Sequence, residues 1–212
     1  MTEWLCPPGP CSPGLKIGLL GGSFNPAHEG HLYISELALK QLGLDYVWWL
    51  VSPQNPLKPV AGMAPLRERL SYAAAKYEHH PRIIVVDVES NFHTRYTADT
   101  LAALKRRFAG VRFVWLMGSD NLASFHRWRR WREIARSVPV AVALRPGSVK
   151  AALYAPAARF LSGARRPPSH GFALAKPPAF AVLDGRRCPQ SATAIRAKAG
   201  AGEALVGAIP SW

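Results

Sequence analysis

Eleven consecutive residues, Gly21-Gly22-Ser23-Phe24-Asn25-Pro26-Ala27-His28-Glu29-Gly30-His31, concentrate groups suited to holding an anion. Two glycines let the backbone approach a ligand closely, and a helix start beyond them would favour negative charge. Histidines three apart near that helix start can both face one phosphate and donate to it from ring nitrogens. Taken alone, Gly-Gly is an ordinary turn; the string as a whole, between a strand and a helix, favours the phosphate reading. His28-Glu29-Gly30-His31 is not the H-E-x-x-H pattern of zinc hydrolases, and no third ligand is evident, so no resident metal is expected.

Such residues need a frame. The apolar run at 15–20 ends in Gly21-Gly22 and reads as a buried strand closed by a turn. Further strands are expected at 46–51, 82–88, 111–117, 138–144 and 179–183. Helices are expected at 31–42, 63–78, 98–108, 128–136 and from about Ser191. Alternation of this kind predicts an α/β fold, Rossmann-like and doubly wound, with a mainly parallel sheet and helices on both faces. Ligands then belong beyond the carboxyl ends of the strands. Asp120 follows the strand at 111–117 directly and is placed to meet a ligand or to cap a helix.

The 212 residues fit one domain, expected over 15–212, behind a Pro/Gly-rich flexible tail at 1–14 and with a mobile connection at 162–178. No apolar run approaches the roughly 18 residues of a membrane span, and the N-terminus lacks the pattern of a secretory signal. Three cysteines, Cys6, Cys11 and Cys188, match neither a disulfide framework nor a zinc ribbon. A cytoplasmic protein is the simplest expectation. Lys plus Arg is 27 against 13 Asp plus Glu, a net charge of +14. That surplus suits nucleic acid, anionic lipid or phosphorylated small molecules without choosing among them.

The eleven-residue string resembles the G-G-[ST]-F-[DN]-P-x-H-x-G-H signature of a nucleotidyltransferase superfamily that adenylylates phosphorylated substrates. More narrowly, the chain is similar to bacterial nicotinate-nucleotide adenylyltransferases. Tyr96-Thr97-Ala98-Asp99-Thr100-Leu101 resembles that family's Y-T-x-D-T-L, and Gly118 through Leu122 its G-x-D-x-L. Trp128 through Ile134 resembles W-x-x-W-x-x-I, and Ser191 through Arg196 the terminal S-[SA]-T-x-I-R. Each piece is short; their order over about 15–196 carries the likeness.

The resemblance implies transfer of AMP from ATP to nicotinate mononucleotide, with release of pyrophosphate and Mg²⁺ accompanying ATP, in NAD biosynthesis. Positioning and charge neutralisation would dominate such a reaction. It implies catalytic roles for His28, His31 and Arg196; Lys58, in the loop after the second strand, is a candidate further catalytic cation for the reacting phosphates. ATP would meet Gly21, Gly22, Ser23, Phe24, His28, His31, Gly118, Asp120, Ser191, Thr193 and Arg196. Nicotinate mononucleotide would meet Asn25, Lys58, Tyr96, Thr97 and Trp128, the last as a stacking platform. Plainer roles compete: Thr97 and Ser191 as helix caps, Lys58 as a loop cation, and Phe125, Trp128, Trp131 and Ala135 as one packed helical stripe. His79, His80, His93, His126 and His170 read as surface or packing residues. The competing functions are a sister enzyme for nicotinamide mononucleotide or phosphopantetheine, and a basic nucleic-acid-binding protein. The adenylyl-transfer reading expects neither nucleic acid nor a membrane as partner.

Overall fold

The apolar runs pair as the parallel strands that their composition calls for. In a computed structural model, residues 9–53 and 62–185 are described, together with Ala192 and Ile195. In chain order the elements are β1 (Lys16–Gly22), α1 (Glu29–Gln41), β2 (Tyr46–Val51), α2 (Leu66–Tyr77), β3 (Ile83–Val86), α3 (Val88–Asn91) and α4 (Thr97–Arg107). They continue with β4 (Arg112–Gly118), α5 (Ser119–Ser124), α6 (Trp131–Ser137), β5 (Val140–Ala143), α7 (Val149–Tyr154), α8 (Pro156–Leu161) and β6 (Phe180–Leu183).

All five strand pairings are parallel, in the order β3-β2-β1-β4-β5-β6. This is the doubly wound order, and its direction reverses between β1 and β4. Alternate strand residues supply two cores. Ile17, Leu19, Phe113, Trp115 and Met117 pack with α4, α6, α7 and α8 on one face. Leu20, Val114 and Leu116 pack with α1 and α2 on the other. Burial on both faces is why β2 reads as an unbroken apolar run, with Trp48 and Trp49 both fully buried.

Four sequence expectations are refined. The third strand stops at Val86, because Asp87 accepts Ser90 N–H at 3.3 Å and turns the chain into α3. The expected helix at 128–136 is broken. Phe125–Arg127 is a 3-10 turn, Trp128 is extended, and Arg130 takes a left-handed φ of 56° before α6 begins. Arg130 is held there by Asp99 and Glu133, at 2.7 and 2.6 Å. The stretch 162–178 is not a featureless connection: Arg165 bridges to Phe180, and Phe172 and Ala173 enter the core. Within the expected tail, Gly14 N–H donates to Gly110 O, and Cys11 packs against the α4 face. Of the helix expected from about Ser191, Ala192 and Ile195 are helical and the remainder lies outside the described residues.

Candidate active site

Two turns leave the carboxyl ends of β1 and β4, the two strands that flank the reversal. Both carry residues singled out by the sequence. The β1 turn begins where Gly21 lies under the indole of Trp115; a Cβ there would meet Trp115 Cη2 at 2.6 Å. Glycine is needed for that approach. The turn is then pinned from below. Phe24, with φ of 46°, is buried and stacks on Trp49 with ring centroids 5.1 Å apart. Its side chain therefore belongs to the core, and only its backbone can meet the ATP expected there. The Asn25 side chain is likewise engaged: Nδ2 donates to Gly62 O at 2.9 Å and Oδ1 accepts Ala64 N–H at 3.3 Å. Asn25, expected to contact the mononucleotide, thus also braces the turn against the approach to α2. Ser23 Oγ is buried and finds no hydrogen-bond partner among the described residues.

The histidine pair has a defined geometry. His28 is the N-cap of α1, where Nδ1 accepts Gly30 N–H at 3.0 Å; His31 Nδ1 accepts His28 N–H at 3.2 Å. The rings lie 3.9 Å apart. A ring nitrogen that accepts a backbone N–H carries no proton, so each neutral ring is protonated at Nε2. These bonds therefore fix both neutral rings as the Nε2–H tautomer and hold the two rings side by side. Burial, followed by the charge of Arg145, lowers the His28 pKa to about 4, so this ring is a neutral donor at physiological pH. His31 is walled in by Phe24 and Trp49, and its carbonyl accepts Ser35 Oγ–H, which in turn accepts Trp49 Nε1–H.

The β4 turn supplies Gly118 and Asp120. Gly118 is the N-cap of α5, and Asp120 makes no capping bond; its carboxylate lies 3.7 Å from Arg145. A Cβ on Gly118 would collide with Asp120 Oδ1 and with Arg145 Nε, so the missing side chain lets these two groups meet over the strand end. Arg145 lies just beyond β5, and its N–H donates to Ser119 Oγ at 2.8 Å. The sequence reading passed over it, although its place after a strand end was the same signal that selected Asp120. Arg145 and Asp120 both act on the His28 titration, so the two turns converge electrostatically at the reversal point.

The third group lies at the start of α4. Tyr96 is the N-cap and gives no side-chain cap, and Thr97 is the first helical residue. Thr97 is therefore not the cap it could have been. The Arg129 guanidinium sits over the Tyr96 ring at 4.5 Å. Trp128 packs edge-on against Phe125 and Trp115, and Trp115 covers Gly21. The helix break thus brings Trp128, partly exposed, between the α4 start and the β1 turn. Lys58, Ser191, Thr193 and Arg196 lie outside the described residues. Also overlooked by the sequence reading were Arg69 and Glu89. Arg69 was legible as a charge on the apolar stripe Leu66, Leu70, Ala73 and Tyr77; Glu89 gave no such signal.

Among the described residues no three His, Cys, Asp or Glu side chains cluster as a metal would require, and no helix is long and apolar enough to cross a membrane. A doubly wound sheet with a capped histidine pair and an Arg–Asp pair at its reversal point defines a nucleotide-handling α/β protein. Residues 19–198 match the cytidylyltransferase-like family. A probable nicotinate-nucleotide adenylyltransferase of Parvibaculum lavamentivorans is 54% identical over 191 residues, which cover 89% of this chain and 94% of that protein. One from Brucella abortus is 48% identical over 86% of this chain and 94% of its own length. Among solved structures, the Plasmodium falciparum nicotinic acid mononucleotide adenylyltransferase complexed with NaAD superposes with a TM-score of 0.64 at 15% identity. It covers 85% of this chain and 82% of that one, a likeness of fold. The chain belongs to the nicotinate-nucleotide adenylyltransferase branch of the cytidylyltransferase-like family.

Proposed function

We propose that this chain is a cytoplasmic enzyme that transfers AMP from ATP to nicotinate mononucleotide, forming nicotinate adenine dinucleotide for NAD biosynthesis. A phosphate oxygen of the mononucleotide bonds to the α-phosphorus of ATP. The α–β bridging bond breaks, and its electron pair leaves with pyrophosphate. The observation that carries the reading is the histidine pair, whose Nδ1 bonds fix both rings as Nε2–H tautomers at the sheet reversal. Donors held in place before charge develops cost no reorganisation as the transition state forms.

The remaining roles follow from position. Gly21, Gly22 and Ser23 would line the phosphates with backbone and a spare hydroxyl, and Gly118 and Asp120 would meet the adenylyl nucleoside. Arg145 balances Asp120 beside them. Ser191, Thr193 and Arg196 are retained from the terminal motif, and Lys58 from its sequence position after the second strand, as phosphate ligands. Mg²⁺ would arrive bound to the ATP phosphates, with Asp120 the carboxylate nearest to hand. For the mononucleotide, the start of α4 leaves backbone N–H groups for the nicotinate carboxylate, and Trp128 offers a ring face to the pyridine.

The test is pyrophosphate release from ATP and Mg²⁺ with nicotinate or nicotinamide mononucleotide. Turnover preferring the acid is expected; no turnover with either, in folded protein, overturns the reading. Trp128→Ala is expected to raise KM for the mononucleotide by about tenfold, roughly the worth of one aromatic stack, with little change for ATP. An equal rise for both substrates would remove Trp128 from the base subsite.

A further inference from the structure

Arg69 is 1% exposed, yet no carboxylate among the described residues lies within ion-pair distance of it. Four of its five N–H donors go to backbone carbonyls instead. Nη1 donates to Ser23 O at 2.6 Å and to Ser52 O at 2.8 Å, Nη2 to Pro53 O at 3.0 Å, and Nε to Ala64 O at 2.8 Å. One side chain thus joins the β1 turn, the end of β2 and the approach to α2. Burying a cation in this way is costly, and an apolar residue on the same stripe of α2 would serve stability as well. Holding carbonyls from three segments requires the planar, five-donor fork, which lysine lacks.

The contacts continue beyond Arg69. Ser52 N–H donates to Gly22 O at 2.9 Å, and Ser52 Oγ–H donates to Glu89 Oε2 at 2.7 Å. Glu89 O accepts Thr94 N–H at 2.9 Å. Thr94 Oγ1 lies 2.9 Å from Thr100 Oγ1, and Thr100 Oγ1–H donates to Tyr96 O at 3.2 Å. Hydrogen bonds joined through the residues Ser52, Glu89 and Thr94 therefore lead from the carbonyl of Ser23, in the β1 turn, to Tyr96, at the start of α4.

We propose that Arg69, Ser52 and Glu89 are positioning residues, forming one polar network that sets the phosphate turn of ATP against the base subsite of the mononucleotide. The identity of the two subsites rests on the adenylyl-transfer reading; the network itself does not. Two substrates that must meet in line lose rate steeply when their sites drift by an ångström, even where each still binds.

Ser52→Ala cuts the run at one atom and leaves the bond from Arg69 to the Ser52 carbonyl in place. In full-length protein this variant is expected to lower kcat about tenfold or more, with KM for each substrate within about threefold and little change in Tm. Ser52→Thr, which keeps the hydroxyl, should restore kcat. Amide hydrogen exchange gives a readout independent of turnover: Ser52→Ala should speed exchange both at 22–25 and at 94–98, with 131–137 unchanged. Exchange that rises at one of the two segments alone, or kcat within about twofold of the parent, overturns the proposal. If the unmodified protein turns over neither mononucleotide, the functional reading fails, and the exchange experiment alone decides the network.

Discussion

At the residue scale, the two nitrogens of His28 have separate duties. Nδ1 caps α1 through Gly30 N–H, and Nε2–H is the donor that remains. The duties can be separated by substitution. His28→Asn and His28→Ala both remove the imidazole and its Nε2–H, but asparagine can still accept the helix N–H. The Asn variant is expected to be more stable than the Ala variant by about 1 kcal/mol in chemical denaturation. Both should lose turnover equally, by about a hundredfold or more. An Asn variant with near-parental activity would show that the ring contributes only a cap. The histidine spacing was legible in the sequence, but the tautomer was not, because it depends on which backbone N–H reaches each Nδ1. Asn25, singled out by its place in the signature, also braces the turn through both amide atoms, a role its sequence position did not reveal.

At the scale of elements, most of the sheet was legible because a strand buried on both faces must be apolar throughout; β2 begins and ends where its apolar run does. The breaks were not legible where a short polar contact overrides periodicity, as when Arg130 reaches Asp99 on another helix and divides the stripe from Phe125 to Ala135. The turn through α3 is a second such place, and it carries a titratable group. Burial raises the Glu89 pKa from 4.5 to about 7; the bond from Ser52 opposes this, and nearby Asp87 adds to it. Above 4.5 the unfolded chain has lost this proton while the folded protein still holds it, so stability must fall as pH rises from 4.5 to about 7. Glu89→Gln removes the titration. Parent and variant, compared by denaturant melts at pH 5 and pH 8, should diverge by up to about 2 kcal/mol, with the parent relatively weaker at the higher pH. Parallel pH curves would show that Glu89 ionises freely in the fold.

At the scale of the whole molecule, the net charge of +14 has a location that composition could not supply. Residues 105–166 hold fourteen basic and two acidic side chains, so nearly all of the surplus comes from this one stretch. It includes the end of α4 and all of α6, α7 and α8, which lie on one face of the sheet. There the arginines are held out against aromatic rings: Arg129 over Tyr96, Arg132 over Trp131, and Arg136 over Phe160. On the opposite layer Glu29, Glu36, Glu68 and Glu78 offset Lys40, Arg67, Arg69 and Lys76. The basic layer borders the site through Arg129 beside Trp128 and through Arg145 at the strand ends. Nucleotide substrates are polyanions, and a positive field around a crevice raises their encounter rate in a manner that salt screens. The value of kcat/KM for ATP should therefore fall several-fold between about 0.05 and 0.5 M salt, while kcat at saturation changes little. Reversing Arg132 and Arg136 to Glu, outside the residues placed at the site, should flatten that dependence and leave kcat intact. A salt response identical in the parent and the reversed variant would separate the charged layer from substrate capture.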